Sequence, residues 1–149
     1  MSHDAAVPRR LAAHAVVRDG AGRVLLVEPT YGLTWLLPGG AVERDEPPRS
    51  ACAREIREEL GVDLPVGRLL LLEWVGPRPG LTEGLMLVYD GGTLTTEPRL
   101  PPAELSAHRW VAPGQVGRYV DAELDRRVTA ALVALRAGTV AELEDGLPR

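Results

Sequence analysis

Residues 39–62 read Gly39-Gly40-Ala41-Val42-Glu43-Arg44-Asp45-Glu46-Pro47-Pro48-Arg49-Ser50-Ala51-Cys52-Ala53-Arg54-Glu55-Ile56-Arg57-Glu58-Glu59-Leu60-Gly61-Val62. The stretch predicts a helix that starts between Asp45 and Pro48. Asp45 is a candidate acidic cap, and prolines are tolerated in a first helical turn. The helix is expected to end at Leu60, with Gly61 at C′ and apolar Val62 behind it. Glu55, Glu58 and Glu59 stand at i, i+3 and i+4, within about 100° of one another. Cys52, Ala53, Ile56 and Leu60 form a packing face rotated by roughly 120°. Like charges at this spacing destabilise a bare helix by about 0.2–0.5 kcal/mol per pair. They also sit toward the helix C-terminus, where the dipole disfavours negative charge. A divalent cation reverses that sign, because clustered carboxylates are hard-oxygen ligands suited to Mg²⁺ or Mn²⁺. Alone, Arg54-Glu55-Ile56-Arg57-Glu58-Glu59 reads more plainly as a solvated face with Arg–Glu pairs. The preceding Gly39-Gly40 turn and the distant Glu46 shift the balance toward a site.

Outward from this helix, the chain reads as one domain. Its 149 residues are 45% hydrophobic and 26% charged, near the average for globular chains. Residues 1–10 are expected to be a flexible tail, 11–140 the domain, and 141–149 a C-terminal tail. A hairpin is predicted from Leu11–Val17 and Arg23–Val27 around the Asp19-Gly20-Ala21-Gly22 turn. Further strands are expected at Leu64–Val75, with a bend at Gly67, at Gly84–Tyr89, closed by Asp90-Gly91-Gly92, and at His108–Val111. An amphipathic helix is expected over Ala122–Ala137, stopped by Gly138. Mixed strands and helices without steady βαβ alternation favour α/β layers around one core.

Composition excludes several roles. A net charge of −4 and a pI near 5.4 argue against duplex nucleic-acid binding, which needs a basic stripe. No apolar run approaches the ~20 residues of a membrane span. Residues 1–10 lack the apolar segment of a signal peptide. The lone Cys52 cannot form an internal disulfide, so a cytoplasmic location is expected. All 17 basic residues are Arg, Phe and Asn are absent, and Ile occurs once. That pattern fits a GC-rich coding sequence, so abundant Arg carries little functional weight.

The residues from Gly40 to Val62 fill every specified position of the pattern G-x5-E-x7-R-E-U-x-E-E-x-G-U, where U is aliphatic. On these residues the chain resembles the Nudix hydrolase family, and is MutT-like. The upstream hairpin, Trp35-Leu36-Leu37-Pro38-Gly39-Gly40 and Arg109-Trp110-Val111 also fit. The resemblance implies an α/β/α sandwich with a mixed β-sheet and a loop–helix–loop motif. It implies metal-dependent hydrolysis of a pyrophosphate bond in a nucleoside diphosphate linked to another moiety, with water attacking phosphorus. Mg²⁺ is the implied cofactor, with Mn²⁺ a substitute. Glu55, Glu58, Glu59 and the Gly39 carbonyl would be metal ligands, and Arg54 and Glu46 would pair to hold helix against loop. Glu58, Glu59 or Glu104 would act as base, with Glu97 a weaker rival. One departure is Asp45, where many members have Gly. The implied partner is a small nucleotide-like substrate, and family members often form homodimers.

Substrate choice lies outside the motif. Pro77 stands fifteen residues past Val62, as in the ADP-ribose pyrophosphatase subgroup, but within a Pro-rich loop where coincidence serves as well. A nucleoside triphosphate or oxidised nucleotide fits a short chain equally. Tyr31 and Trp35 are candidate base-stacking residues. Arg78, and with less weight Arg23 and Arg109, are candidate phosphate contacts. Trp74, Trp110 and Cys52 read as core, and His3, His14 and His108 as incidental. Two competitors remain: a non-catalytic nucleotide sensor on the same fold, and a prenyl-diphosphate isomerase. The first usually loses motif glutamates. The second needs an acid/base cysteine that Cys52, inside the motif helix, does not supply.

Overall fold

Alternation along the first two strands sets the layers. In the computed structural model, which describes residues 8–32, 34–99 and 105–149, β1 spans Arg10–Arg18 and β2 spans Val24–Pro29. Ala13, Ala15, Val17, Leu25 and Val27 point to one side of the sheet, with Cys52, Ile56 and Leu60. Val16, Val24 and Leu26 point to the other, with Leu124, Val128 and Leu132. Period-2 strands buried on both faces need a helix on each side. Those helices are α1 (Pro48–Leu60) and α2 (Ala122–Ala137). The architecture is an α/β/α sandwich.

The remaining elements are β3 (Gly39–Ala41), β4 (Leu69–Val75), β5 (Gly84–Thr93), β6 (Leu105–Val111), a 3₁₀ turn at Pro113–Arg118, β7 (Ala141–Glu144) and β8 (Leu147–Pro148). Strand order is β6-β2-β1-β5-β4-β7-β8, with β3 paired to β1 off that path. The pairs β1–β5 and β4–β7 are parallel and the rest antiparallel, so the sheet is mixed.

Helix α2 matches its sequence signals. The Asp121 side chain accepts from Leu124 N–H, and Gly138 closes the helix at φ 68°. Helix α1 also ends as expected, at Gly61 with φ 66°. Its start differs. Pro47, not Asp45, is the N-cap, because Pro47 and Pro48 have no N–H for an upstream carboxylate to cap. Asp45 instead takes φ 61°, the left-handed conformation that explains why Gly suits this position elsewhere.

Strand boundaries also shift, β6 among them, which begins at Leu105 rather than His108. β4 begins at Leu69 rather than Leu64, since Gly67 leaves the ladder and donates its N–H to Asp90 O at 2.7 Å. β5 runs on through Asp90-Gly91-Gly92. Gly91 packs under Val17, Arg18 pairs with Asp90 at 2.9 Å, and the register shift between Val16 and Arg18 absorbs the extra residue. Residues 141–149, expected as a tail, form a hairpin that adds β7 alongside β4. Its turn is Asp145-Gly146, both at positive φ, a tight-turn pair that adds a sequence signal for the hairpin.

Candidate active site

Two glycines bring the motif loop onto α1. Gly39 has φ 138°, and a Cβ there would lie 2.4 Å from Ala13 O and 2.5 Å from His14 Cα. A Cβ on Gly40 would lie 2.6 Å from Cδ of Glu55. The space a side chain would fill at Gly40 therefore cradles the Glu55 carboxylate. β3 pairs with β1 through Ala13↔Gly40 and His14↔Gly39, which fixes this approach.

Arg54 ties helix to loop. Its Nε and Nη2 donate to the two oxygens of Glu46 at 2.8 and 2.9 Å, a bidentate pair. Nη2 also donates to Ala41 O, and Nη1 reaches Glu55 at 3.0 Å and Glu58 at 3.2 Å. The Arg54 hydrogen bonds, joined by the Glu43 N–H, hold Glu46 down at a pKa of about 2. The same Glu46 contact pushes the Arg54 guanidinium above its ordinary value.

The three helix glutamates are not equivalent. Glu58 is half exposed, at 49% of its side-chain surface. Glu59 is 9% exposed and accepts the Gly39 N–H at 3.1 Å. Its burial corrects the expectation that all three glutamates stand on a face apart from the packing face. Seven residues beyond Cys52, Glu59 lies only about 20° from it around the helix, at the seam with the core.

Gly39, Gly40, Ala41, Tyr31 and the glutamates line a cleft of 410 Å³, which also takes in Glu43 and Arg54. It opens into a more apolar cleft of 480 Å³ whose walls include Met86, Leu36, Leu37, Arg9 and Arg10. Tyr31, 86% exposed, overhangs both. Of the sequence candidates, Gly39, Glu55, Glu58, Glu59, Arg54 and Tyr31 therefore meet at one cleft, with Glu46 bound to Arg54 beside it. Trp35 packs edge-on against Tyr119, with Arg109 over both rings. Arg23 pairs with Asp19. Arg78 pairs with Glu123 and lines a smaller cavity that shares His14, Leu36 and Leu37 with the apolar cleft. Glu97 bonds His108 at 2.9 Å. Glu104 lies outside the described residues.

Sequence reasoning missed Glu43, Arg9, Arg10, Met86 and His14 at these walls. His14, set aside as incidental, lies against Gly39. Burial, followed by the charge of Arg127, lowers its pKa to about 4. Cys52 is buried, and desolvation pushes its thiol up to about 12, which makes it inert as a nucleophile.

Among the described residues, no three His, Cys, Asp or Glu side chains already stand grouped to hold a metal ion. The donor set nevertheless suits a hard divalent cation. Carboxylates of Glu55, Glu58 and Glu59 face one cleft, and the vacant Cβ position at Gly40 makes room for one of them.

Residues 8–132 match the family model described as NUDIX domain. The chain belongs to the Nudix family. It is 35% identical over 109 residues to a MutT-like protein of Streptomyces ambofaciens, covering 70% of this chain and 64% of that one. It is 36% identical over 101 residues to 8-oxo-dGDP phosphatase NUDT18 of Danio rerio, covering 64% of this chain and 30% of that protein. The chain thus spans less than two thirds of both these relatives. A CTP pyrophosphohydrolase of Escherichia coli (strain K12) is 31% identical over 134 residues, covering 86% of this chain and 95% of that one. Among solved structures, a MutT protein from Methanosarcina mazei Go1 superposes with a TM-score of 0.74 at 22% identity, over 91% of this chain and 99% of that one. A MutT NUDIX hydrolase from Burkholderia pseudomallei gives 0.69 at 28% identity, over 87% and 98%. No helix among the described residues is long and apolar enough to cross a membrane.

Proposed function

We propose that this Nudix protein is a metal-dependent hydrolase that cleaves a pyrophosphate bond in a nucleotide. One observation carries the reading: the glutamate cleft and the apolar cleft are continuous, joined at Gly39, Gly40, Ala41, Glu59 and Tyr31. An anionic pyrophosphate belongs at the first, and a nucleoside at the second. Glu55, Glu58, Glu59 and the Gly39 carbonyl would hold Mg²⁺, or Mn²⁺ in its place. The ion would supply charge neutralisation between these carboxylates and the substrate phosphates.

The chain's own groups divide the remaining work. Arg54 and Glu46 keep α1 fixed against the loop, so that the carboxylates are positioned before substrate arrives. Glu59 is held by the Gly39 N–H and buried in the helix seam. Glu58 reaches solvent and is the better placed of the two to take a proton from attacking water. Glu104 stays a rival for that role. Tyr31 stacks on the base, and Leu36, Leu37 and Met86 face the nucleoside. The CTP pyrophosphohydrolase and 8-oxo-dGDP phosphatase relatives point to a nucleoside di- or triphosphate as substrate.

The test is a phosphate-release screen over nucleoside triphosphates, oxidised nucleotides, ADP-ribose and sugar nucleotides. Turnover that needs Mg²⁺ and stops with EDTA is expected. Silence across the panel, with a nucleotide still raising Tm, would replace the hydrolase by a nucleotide sensor.

A further inference from the structure

On the face of the sheet opposite the glutamate helix runs a chain of charges that the proposed reaction does not use. It starts at Glu73 in β4, which is completely buried. Oε1 of Glu73 accepts from Arg127 Nε at 2.5 Å, and Oε2 accepts from the Gly146 N–H at 2.7 Å. Arg127 Nη2 donates to Glu123 at 2.9 Å. The other oxygen of Glu123 accepts from Arg78. The chain therefore runs from the turn of the C-terminal hairpin, beyond the family-matched residues, through α2 to the loop at 76–80.

Its far end faces a cavity. Arg78, Glu123 and Arg127 line a space of 140 Å³ with Asp121 and His14. His14, Leu36 and Leu37 are walls of both this cavity and the apolar cleft under Tyr31. The cavity thus adjoins the cleft, and its Arg78 wall is half exposed. Stability alone does not account for the charges, because apolar residues of similar volume often replace a buried ion pair without loss. What apolar residues would not do is hold a guanidinium at one place on a cavity wall. Arg78 comes from a loop, and among the described residues the ion pair that orders its long side chain is the one to Glu123.

We propose that Glu73 is a positioning residue. Through Arg127 and Glu123 it holds Arg78 at this wall, coupling the C-terminal hairpin to affinity for the end of the substrate farthest from the glutamates. The inference rests on the cleft accepting a nucleotide. Two guanidiniums balanced by Asp121 and Glu123 suit a neutral group that both donates and accepts hydrogen bonds. They do not suit a second phosphate, which the two carboxylates would repel.

The experiment uses the full chain and the four common ribonucleoside triphosphates, carrying forward the one turned over best. In Glu73→Gln, KM is expected to rise five- to tenfold with kcat within twofold of wild type. Glu123→Gln cuts the chain nearer Arg78 without stranding a fully buried charge, and serves if Glu73→Gln melts early. Arg78→Met should raise KM equally, and adding Glu73→Gln to it should change nothing more. Calorimetry with the matching nucleoside monophosphate, which has no anhydride to cleave, should show the same loss of affinity. Binding without turnover would remove the hydrolase reading and leave this one standing. Wild-type KM in both Glu variants, or multiplying effects in the double variant, would overturn the positioning role. Failure of every nucleotide to bind would overturn both.

Discussion

The two faces of the sheet each carry an arginine among carboxylates, and they resolve the charge differently. On the α1 side, Arg54 serves Glu43, Glu46, Glu55 and Glu58 together. On the α2 side, signs alternate along Glu73, Arg127, Glu123 and Arg78. The second set is balanced within the protein, and its Glu73–Arg127 end sits in the interior while Arg78 is half exposed. The first sets four carboxylates around one guanidinium and lies open to a cleft, where the proposed cation would sit. Counting charges within a contacting set, rather than counting acidic residues, separates the two.

The largest effect that could break this comparison is catalytic. Glu58→Gln is expected to lower kcat by about 10²–10⁴-fold with little change in Tm, since the side chain is half exposed. Steady-state rates beside a thermal melt check it, and near-wild-type turnover would remove Glu58 from the site. The opposite signature is expected on the other face. Arg127→Met strands the buried Glu73 and should cost about 3–5 kcal/mol in urea unfolding. A loss below 1 kcal/mol would mean that Glu73 and Arg127 do not form a desolvated, mutually dependent pair.

Acid should separate the faces next. His14 is kept neutral in the fold, so the unfolded chain binds more protons than the native one between pH 6.5 and about 4. Its contribution is complete above pH 6.5 and is lost as pH falls through that window. Between pH 7 and 5 the loss is about 2 kcal/mol. Glu46 is depressed instead, and its contribution is present above pH 4.5 and lost toward pH 2. Unfolding midpoints at pH 7 and 5 should therefore converge in His14→Gln and stay apart in Glu46→Gln. The smallest effect is local. Asp45→Gly relieves a left-handed residue and should raise stability by up to about 1 kcal/mol, read as a small upward shift in Tm.

Much of the α1 side was legible from one stretch of chain. Its parts are local: spacing puts Glu55, Glu58 and Glu59 together, Gly61 stops the helix, and Arg54 and Glu46 bracket the loop. Where the reading slipped there, the cause was also local. Two prolines displaced the cap from Asp45, and Glu59 fell at the edge of the apolar arc. The α2 side was hidden because its parts are remote. Glu73 and Arg127 are 54 residues apart, and Glu73 and Gly146 are 73 apart. Glu73 in a strand of leucines carries no periodic signal that its partner is an arginine on a helix. The assignment of Arg78 to substrate contact was likewise separated from the glutamates only by seeing it bound to Glu123.

By itself, the sequence determined the family, the fold class, the glutamate helix and the glycine turn beneath it. Each depends on spacing within a few turns of chain or on a steric need for glycine. Tertiary structure alone decided that the C-terminal residues complete the sheet, that His14 lies beneath Gly39, and that a balanced charge chain reaches the cleft from behind. Those outcomes depend on which strands become neighbours. Strand order is fixed by burial summed over the whole chain, which no short stretch encodes.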